Sequence, residues 1–66
     1  MISEYDKDLW TIRAMKKSGG SFVKALGEAA LLADDINRKK IKVTFYEYWR
    51  RYELIGEDMR KNGEEL

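Results

Sequence analysis

Phe22-Val23-Lys24-Ala25-Leu26-Gly27-Glu28-Ala29-Ala30-Leu31-Leu32-Ala33 is the stretch on which the fold turns. Wound as a helix at about 100° per residue, it places Phe22, Ala25, Leu26, Ala29, Leu32 and Ala33 on one broad face, with Val23, Gly27 and Ala30 on its flank. Charge is confined to Lys24 and Glu28, with Leu31 beside them. A helix this apolar, and this rich in small side chains, packs against several neighbours at short range. It is expected to be the central helix of an all-α bundle.

Ser18-Gly19-Gly20-Ser21 breaks the chain just before it. Glycine after a lysine-ended helix is a stop signal, and Ser21 suits the N-cap of the next helix. A helix N-terminus can also cradle an anion. This one lacks the GxxxxGK[ST] spacing of a nucleotide-binding loop and the strand that precedes it, so it reads as a plain turn.

Upstream, the spacing predicts a helix over about 4–17. Ser3 is its N-cap, Glu4, Asp6 and Asp8 occupy the first turns, and Lys16 and Lys17 close it, an order that suits the macrodipole. Ile2, Tyr5, Leu9, Ile12 and Met15 fall on one face at steps of three and four. Trp10 projects away from that seam, beside Ala14 and Lys17.

Downstream, Asp34 and Asp35 are unfavourable at a helix C-terminus and mark a new element. Asp34→Arg38 and Asp35→Lys39 are spaced for helical ion pairs, whereas Ile41, Val43 and Phe45 alternate with Lys42 and Thr44 as a strand would. A lone strand has no partner inside a helical chain, so a short helix over 36–42 is preferred and the strand stays open as the alternative. Thr44 with Glu47 reads as a capping box opening a helix over 45–61. Phe45, Tyr48, Trp49, Tyr52, Ile55 and Met59 share an arc of roughly 120° on it, Glu47→Arg51 and Glu57→Lys61 are oriented ion pairs, and Asn62-Gly63 ends it. Gly56 within that arc costs about 1 kcal/mol relative to alanine, which close approach of another helix would offset. Residues 62–66 are expected to fray. The fold class is therefore one all-α domain over 1–66: three main helices plus a short one before Thr44.

The chain has 66 residues, no cysteine, no histidine and no proline, and a formal net charge of +1. One small core must then hold without disulfide or structural zinc. Triads and dyads built on histidine or cysteine are excluded, and a few short helices seldom enclose a pocket able to retune a carboxylate, lysine or tyrosine. The expectation is no enzyme and no cofactor. Near-neutral charge argues against a general polyanion binder, no apolar run approaches the roughly 20 residues of a membrane span, and the acidic N-terminus does not resemble a signal peptide, so a cytoplasmic location is expected.

Among candidate sites, Tyr46-Glu47-Tyr48-Trp49-Arg50-Arg51-Tyr52 mixes aromatics with arginine as nucleic-acid binders do, but helical geometry turns Arg50 and Arg51 away from Trp49 and reads Tyr48, Trp49 and Tyr52 as core. Arg38, Lys39, Lys40 and Lys42 form a basic run that, with Arg50 and Arg51, could serve a helix-turn-helix. Asp34, Asp35 and Asn37 fail the calcium-loop pattern, since lysine occupies position 39 and no glycine follows. Trp10, Leu31, Tyr46 and Leu54 are apolar residues off the expected seams, and several on one side would make a surface for a partner, the alternative for Trp10 being that it covers the helix over 22–33 or 45–61.

Gly19-Gly20-Ser21-Phe22-Val23-x-Ala25-Leu26, then Ala33-Asp34 with Asn37 and Ile41-Lys42, then Phe45-x-x-Tyr48-Trp49-x-x-Tyr52 resembles short uncharacterised proteins encoded by bacteriophages and prophages. Such relatives carry proline where Tyr46 stands, a residue favoured at a helix start. The resemblance implies an origin and a bacterial host cytoplasm, not a mechanism, and transfers no site. Taken together, the sequence points to a small non-catalytic module that binds another protein or a second copy of itself and blocks a partner's surface, with Trp10 at the centre of the contact. A helix-turn-helix-like nucleic-acid binder is the alternative.

Overall fold

Ser3 starts the first helix as expected: its hydroxyl accepts the Asp6 N–H at 3.1 Å, with Glu4 and Asp6 in the first turn and Lys16 and Lys17 in the last. The computed structural model describes residues 2–65 and contains α1 (Glu4–Ser18), α2 (Ser21–Leu32), α3 (Asp35–Thr44) and α4 (Tyr46–Lys61), with no strand among them. Asp34 begins α3 by accepting the Asn37 N–H at 2.8 Å, which settles 36–43 as helix. Two other caps differ from expectation. Gly20, not Ser21, is the N-cap of α2, and Phe45, not Thr44, precedes α4; neither supplies a side-chain cap bond. Thr44 is used up as the last residue of α3, so the capping box does not form, and α3 passes into α4 through Phe45 alone.

The core is organised around α1 rather than α2. Trp10, Thr11, Ile12, Ala14 and Met15 are all buried, which at about 100° per residue seals well over half of the helix circumference. One side meets α4, where Gly56 lies so close that a methyl on it would stand 2.6 Å from the Trp10 carbonyl oxygen. Another side meets α2, where a methyl on Gly27 would stand 3.1 Å from Met15 Cβ. Close approach of another helix thus accounts for the glycine at 56.

The face of α2 that goes inward is Val23, Leu26, Gly27 and Ala30, largely the expected flank. Phe22, Leu32, Ala25 and Ala29 stay exposed. A helix apolar on nearly every side cannot be oriented by periodicity. Packing selects the line where Gly27 and Ala30 allow backbones nearest one another. From α4 come Trp49, Tyr52 and Met59, with Phe45 and Ile55 half-buried beside them, whereas Tyr48 is exposed. The C-terminus is better held than a frayed tail: Gly63 adopts φ +82°, its N–H donates to Arg60 O at 3.2 Å and that of Glu64 to Met59 O at 3.1 Å. These are the two bonds of a Schellman closure. Lys17 adds a 2.8 Å contact to Glu64, while Leu66 lies outside the described residues.

Candidate functional site

The least expected feature begins with Asp8, which the seam of α1 does not include. Its carboxylate is buried and bridges two cations of α3: Oδ2 accepts from Arg38 Nε at 3.2 Å and Oδ1 from Lys42 Nζ at 2.9 Å. Arg38 also donates to Asp35 Oδ1 and, at 3.3 Å, to the Ala33 carbonyl, and Lys42 reaches Glu4 at 3.1 Å. Tyr5 lies under the Arg38 guanidinium and Trp49 under the Lys42 ammonium, at 5.4 and 5.7 Å from the ring centroids. Burial opposes both charges, but hydrogen bonds to Asp35 and Asp8 hold Arg38, and those to Asp8 and Glu4 hold Lys42, above their ordinary pKa values. Lys42 in turn holds the Glu4 carboxyl below its usual range.

This network sets the attitude of α3. Arg38 and Lys42, one helical turn apart, face α1. Ile36, Lys40 and Val43 lie on the far side with Lys39 at its edge, and Ile36 and Val43 are each 70% exposed. An amphipathic helix ordinarily buries its apolar residues; here Ile41 packs against the core beside the docking charges, while Ile36 and Val43 face out. Ile36, Lys39, Lys40, Val43 and Thr44 line a shallow depression, whose lysines enter no ion pair among the described residues. Leu32, 78% exposed, ends α2 shortly before this stripe, and Tyr46 follows it at the head of α4.

The residues singled out by sequence are dispersed. Trp10 is only 8% exposed and belongs to the core, because Gly56 brings α4 against its backbone; it cannot centre a contact surface. Leu31, Tyr46 and Leu54 are exposed but line three different depressions: Leu31 between α1 and α2, Tyr46 in the groove beside Arg38 and Lys42, and Leu54 near Ile2 and Arg50. The basic candidates divide as well. Arg38 and Lys42 are committed to Asp8, and Arg50 pairs with Glu53 at 2.8 Å, which leaves Lys39, Lys40 and Arg51 as exposed cations without a partner among the described residues. The helical pairs Asp34–Arg38 and Asp35–Lys39 do not form, since Asp34 caps the helix and Asp35 turns to Arg38.

Ile36 and Val43 went unread as a surface. Their signal is the seven-residue interval bracketing Lys39 and Lys40, set against the four-residue interval of Arg38 and Lys42 on the other side of the helix. A second unread feature is aromatic: Phe22 of α2 meets Phe45 and Tyr48 edge-on at centroid distances of 5.7 and 5.6 Å, pinning the head of α2 to the α3–α4 junction. No family model, curated protein or solved structure matches the chain.

Proposed function

We propose that this chain is a small non-catalytic protein-binding module that acts by covering a partner's surface, with the outward line of α3 as the contact. One observation supports this reading above the rest: Asp8 holds α3 by Arg38 and Lys42, so that Ile36 and Val43 are displayed rather than buried. Displaying two β-branched side chains on a regular helix forgoes the roughly 1.5–3 kcal/mol that burying each would contribute. A partner that covers them recovers that stabilisation. Each ionisable group around Asp8 is engaged by an opposite charge, which supports a structural rather than a catalytic role for them. The resemblance of residues 18–52 to phage-encoded proteins supports a bacterial cytoplasm as the setting. Capture from bacterial lysate tests the reading. A protein retained by the wild type and lost with Ile36→Glu/Val43→Glu, at equal Tm, is the expected result; identical retention by both overturns it. Duplex DNA at low and high salt examines the nucleic-acid alternative, for which Lys39, Lys40 and Arg51 are the exposed charges; binding that weakens steeply with salt would favour it over the protein partner.

A further inference from the structure

A groove of about 420 Å³ runs between α1 and the end of α2, sharing no residue with the outward line of α3. Leu9, Ile12, Arg13, Lys16 and Lys17 come from one side of α1 and Leu31 from α2. The floor is apolar: Ile12 is buried, Leu9 half-buried, and Leu31 forms the outer wall. The rim is cationic, and its three cations are not equivalent. Lys16 is neutralised by Glu28 at 2.9 Å and Lys17 by Glu64 at 2.8 Å. Arg13 has no anionic partner among the described residues, and its Nε is shut from solvent without an acceptor. Arg13 lines the trough, and because its Nε is closed off, a ligand there would meet the guanidinium only through its outer nitrogens.

We propose that this groove binds a small apolar carboxylate, of the chemical class of a medium-chain fatty acid. The hydrocarbon would lie along Leu9, Ile12 and Leu31 and the carboxylate would accept from Arg13. The groove volume falls within the roughly 300–1,000 Å³ typical of small-ligand sites. The guanidinium fork presents several donors, so its outer nitrogens can engage a carboxylate from the open side. The choice of an anion over a neutral amphiphile follows from the one uncompensated cation. The choice of a slender ligand follows from a trough with Leu9 and Ile12 on its floor and Leu31 as its outer wall.

Titration of ¹⁵N-labelled protein with sodium decanoate below its micelle concentration tests this, with decyltrimethylammonium and octyl glucoside as cationic and neutral controls. Decanoate is expected to shift the amides of residues 9–17 and the last turn of α2 saturably, and the controls to bind at least tenfold more weakly. Arg13→Gln should weaken decanoate about tenfold, the loss of one charge-assisted hydrogen bond. Leu31→Gln, at a site 43% exposed, should weaken it by removing the apolar wall, with an unchanged Tm as the check on folding. Equal response to the three amphiphiles, shifts centred outside the groove, or unchanged affinity in both variants would overturn the proposal. Because no residue is shared, failure here leaves the α3 surface standing, and the reverse holds too.

Discussion

Asp8 on α1 and Arg38 on α3 meet at 3.2 Å with side chains only 7% and 10% exposed, thirty positions apart in the chain. Lys42 joins the same carboxylate at 2.9 Å. An ion pair taken out of water gains little over apolar packing, but breaking one by removing a single partner strands the other charge. The contact therefore acts mainly as an orientation device for α3.

Removing the carboxylate alone exposes this dependence. Asp8→Ala leaves Arg38 without its interhelical partner and Lys42 with only Glu4, and should cost about 3–5 kcal/mol. For a chain of this size that lowers Tm by at least about 12 °C. The triple variant Asp8→Leu/Arg38→Met/Lys42→Met should recover most of the loss. Thermal melts by circular dichroism measure both, and an Asp8→Ala curve lying on the wild type would refute the orienting role.

Lys42 gives a pH signature. Burial lowers its pKa, but hydrogen bonds to Asp8 and then Glu4 outweigh this and raise it, so the folded state favours the ammonium. A folded pKa above the unfolded value of about 10.4 means that the contribution is whole below that pH and disappears as pH climbs through the raised value. The Tm gap between wild type and Lys42→Met should stay constant from about pH 7 to about pH 10 and narrow above it. A gap that widens toward alkaline pH contradicts the sign.

Gly20 offers a gain. It is the N-cap of α2 with φ −75° and ψ −173°, conformations open to any residue, it makes no side-chain cap bond, and a Cβ on it would meet nothing within 4 Å. The first turn of α2 also lacks an acidic residue. Gly20→Asp supplies the missing acceptor and a charge suited to the dipole, worth about 0.5–1 kcal/mol, or roughly 2–8 °C in Tm. Ser21→Ala should change little, because Ser21 lies inside the helix rather than at its cap.

Gly56 is the opposite case. A methyl there would meet the Trp10 carbonyl oxygen at 2.6 Å and its carbon at 2.7 Å, and both are backbone atoms that cannot step aside. Gly56→Ala should destabilise by about 1–3 kcal/mol even though alanine is favoured over glycine in a helix by about 1 kcal/mol. A rise in Tm would show that α1 and α4 are not in close contact at this level.

What the sequence made legible follows from how local each signal is. Ser3, Asp34 and the Asn62-Gly63 stop act within one turn, and they can be read from residue type alone. Gly56 was legible because a glycine inside an aromatic arc demands a neighbour. The buried side of α2 was not, since an apolar residue occurs at nearly every angle and only the sizes of Gly27 and Ala30 decide. Spacing left Trp10 open between a partner surface and the core for a related reason. The seam through Ile2, Tyr5 and Leu9 treats α1 as one-sided, whereas its middle is enclosed by two helices and Tyr5 is left 55% exposed. The Asp8 network depends on a contact thirty positions away, beyond the reach of any periodicity. Dispersal of Leu31, Tyr46 and Leu54 has the same origin: each lies off its own helix seam, but their common location depends on crossings that spacing does not encode.

The outward line of α3 can be separated from the core by stability alone. Ile36 and Val43 are 70% exposed, so replacing both with glutamine removes little buried area, and glutamine forms helix somewhat better than either β-branched residue. Ile36→Gln/Val43→Gln should therefore leave unfolding free energy within about 0.5 kcal/mol of wild type, as surface changes do. The same double substitution at Ile12 and Val23, both buried, should cost several kcal/mol, since about 1.5–3 kcal/mol of burial is lost at each site. Urea titrations of the two double variants make the comparison. If the α3 pair proves as damaging as the core pair, Ile36 and Val43 are packed inside the folded chain and no partner is needed to cover them.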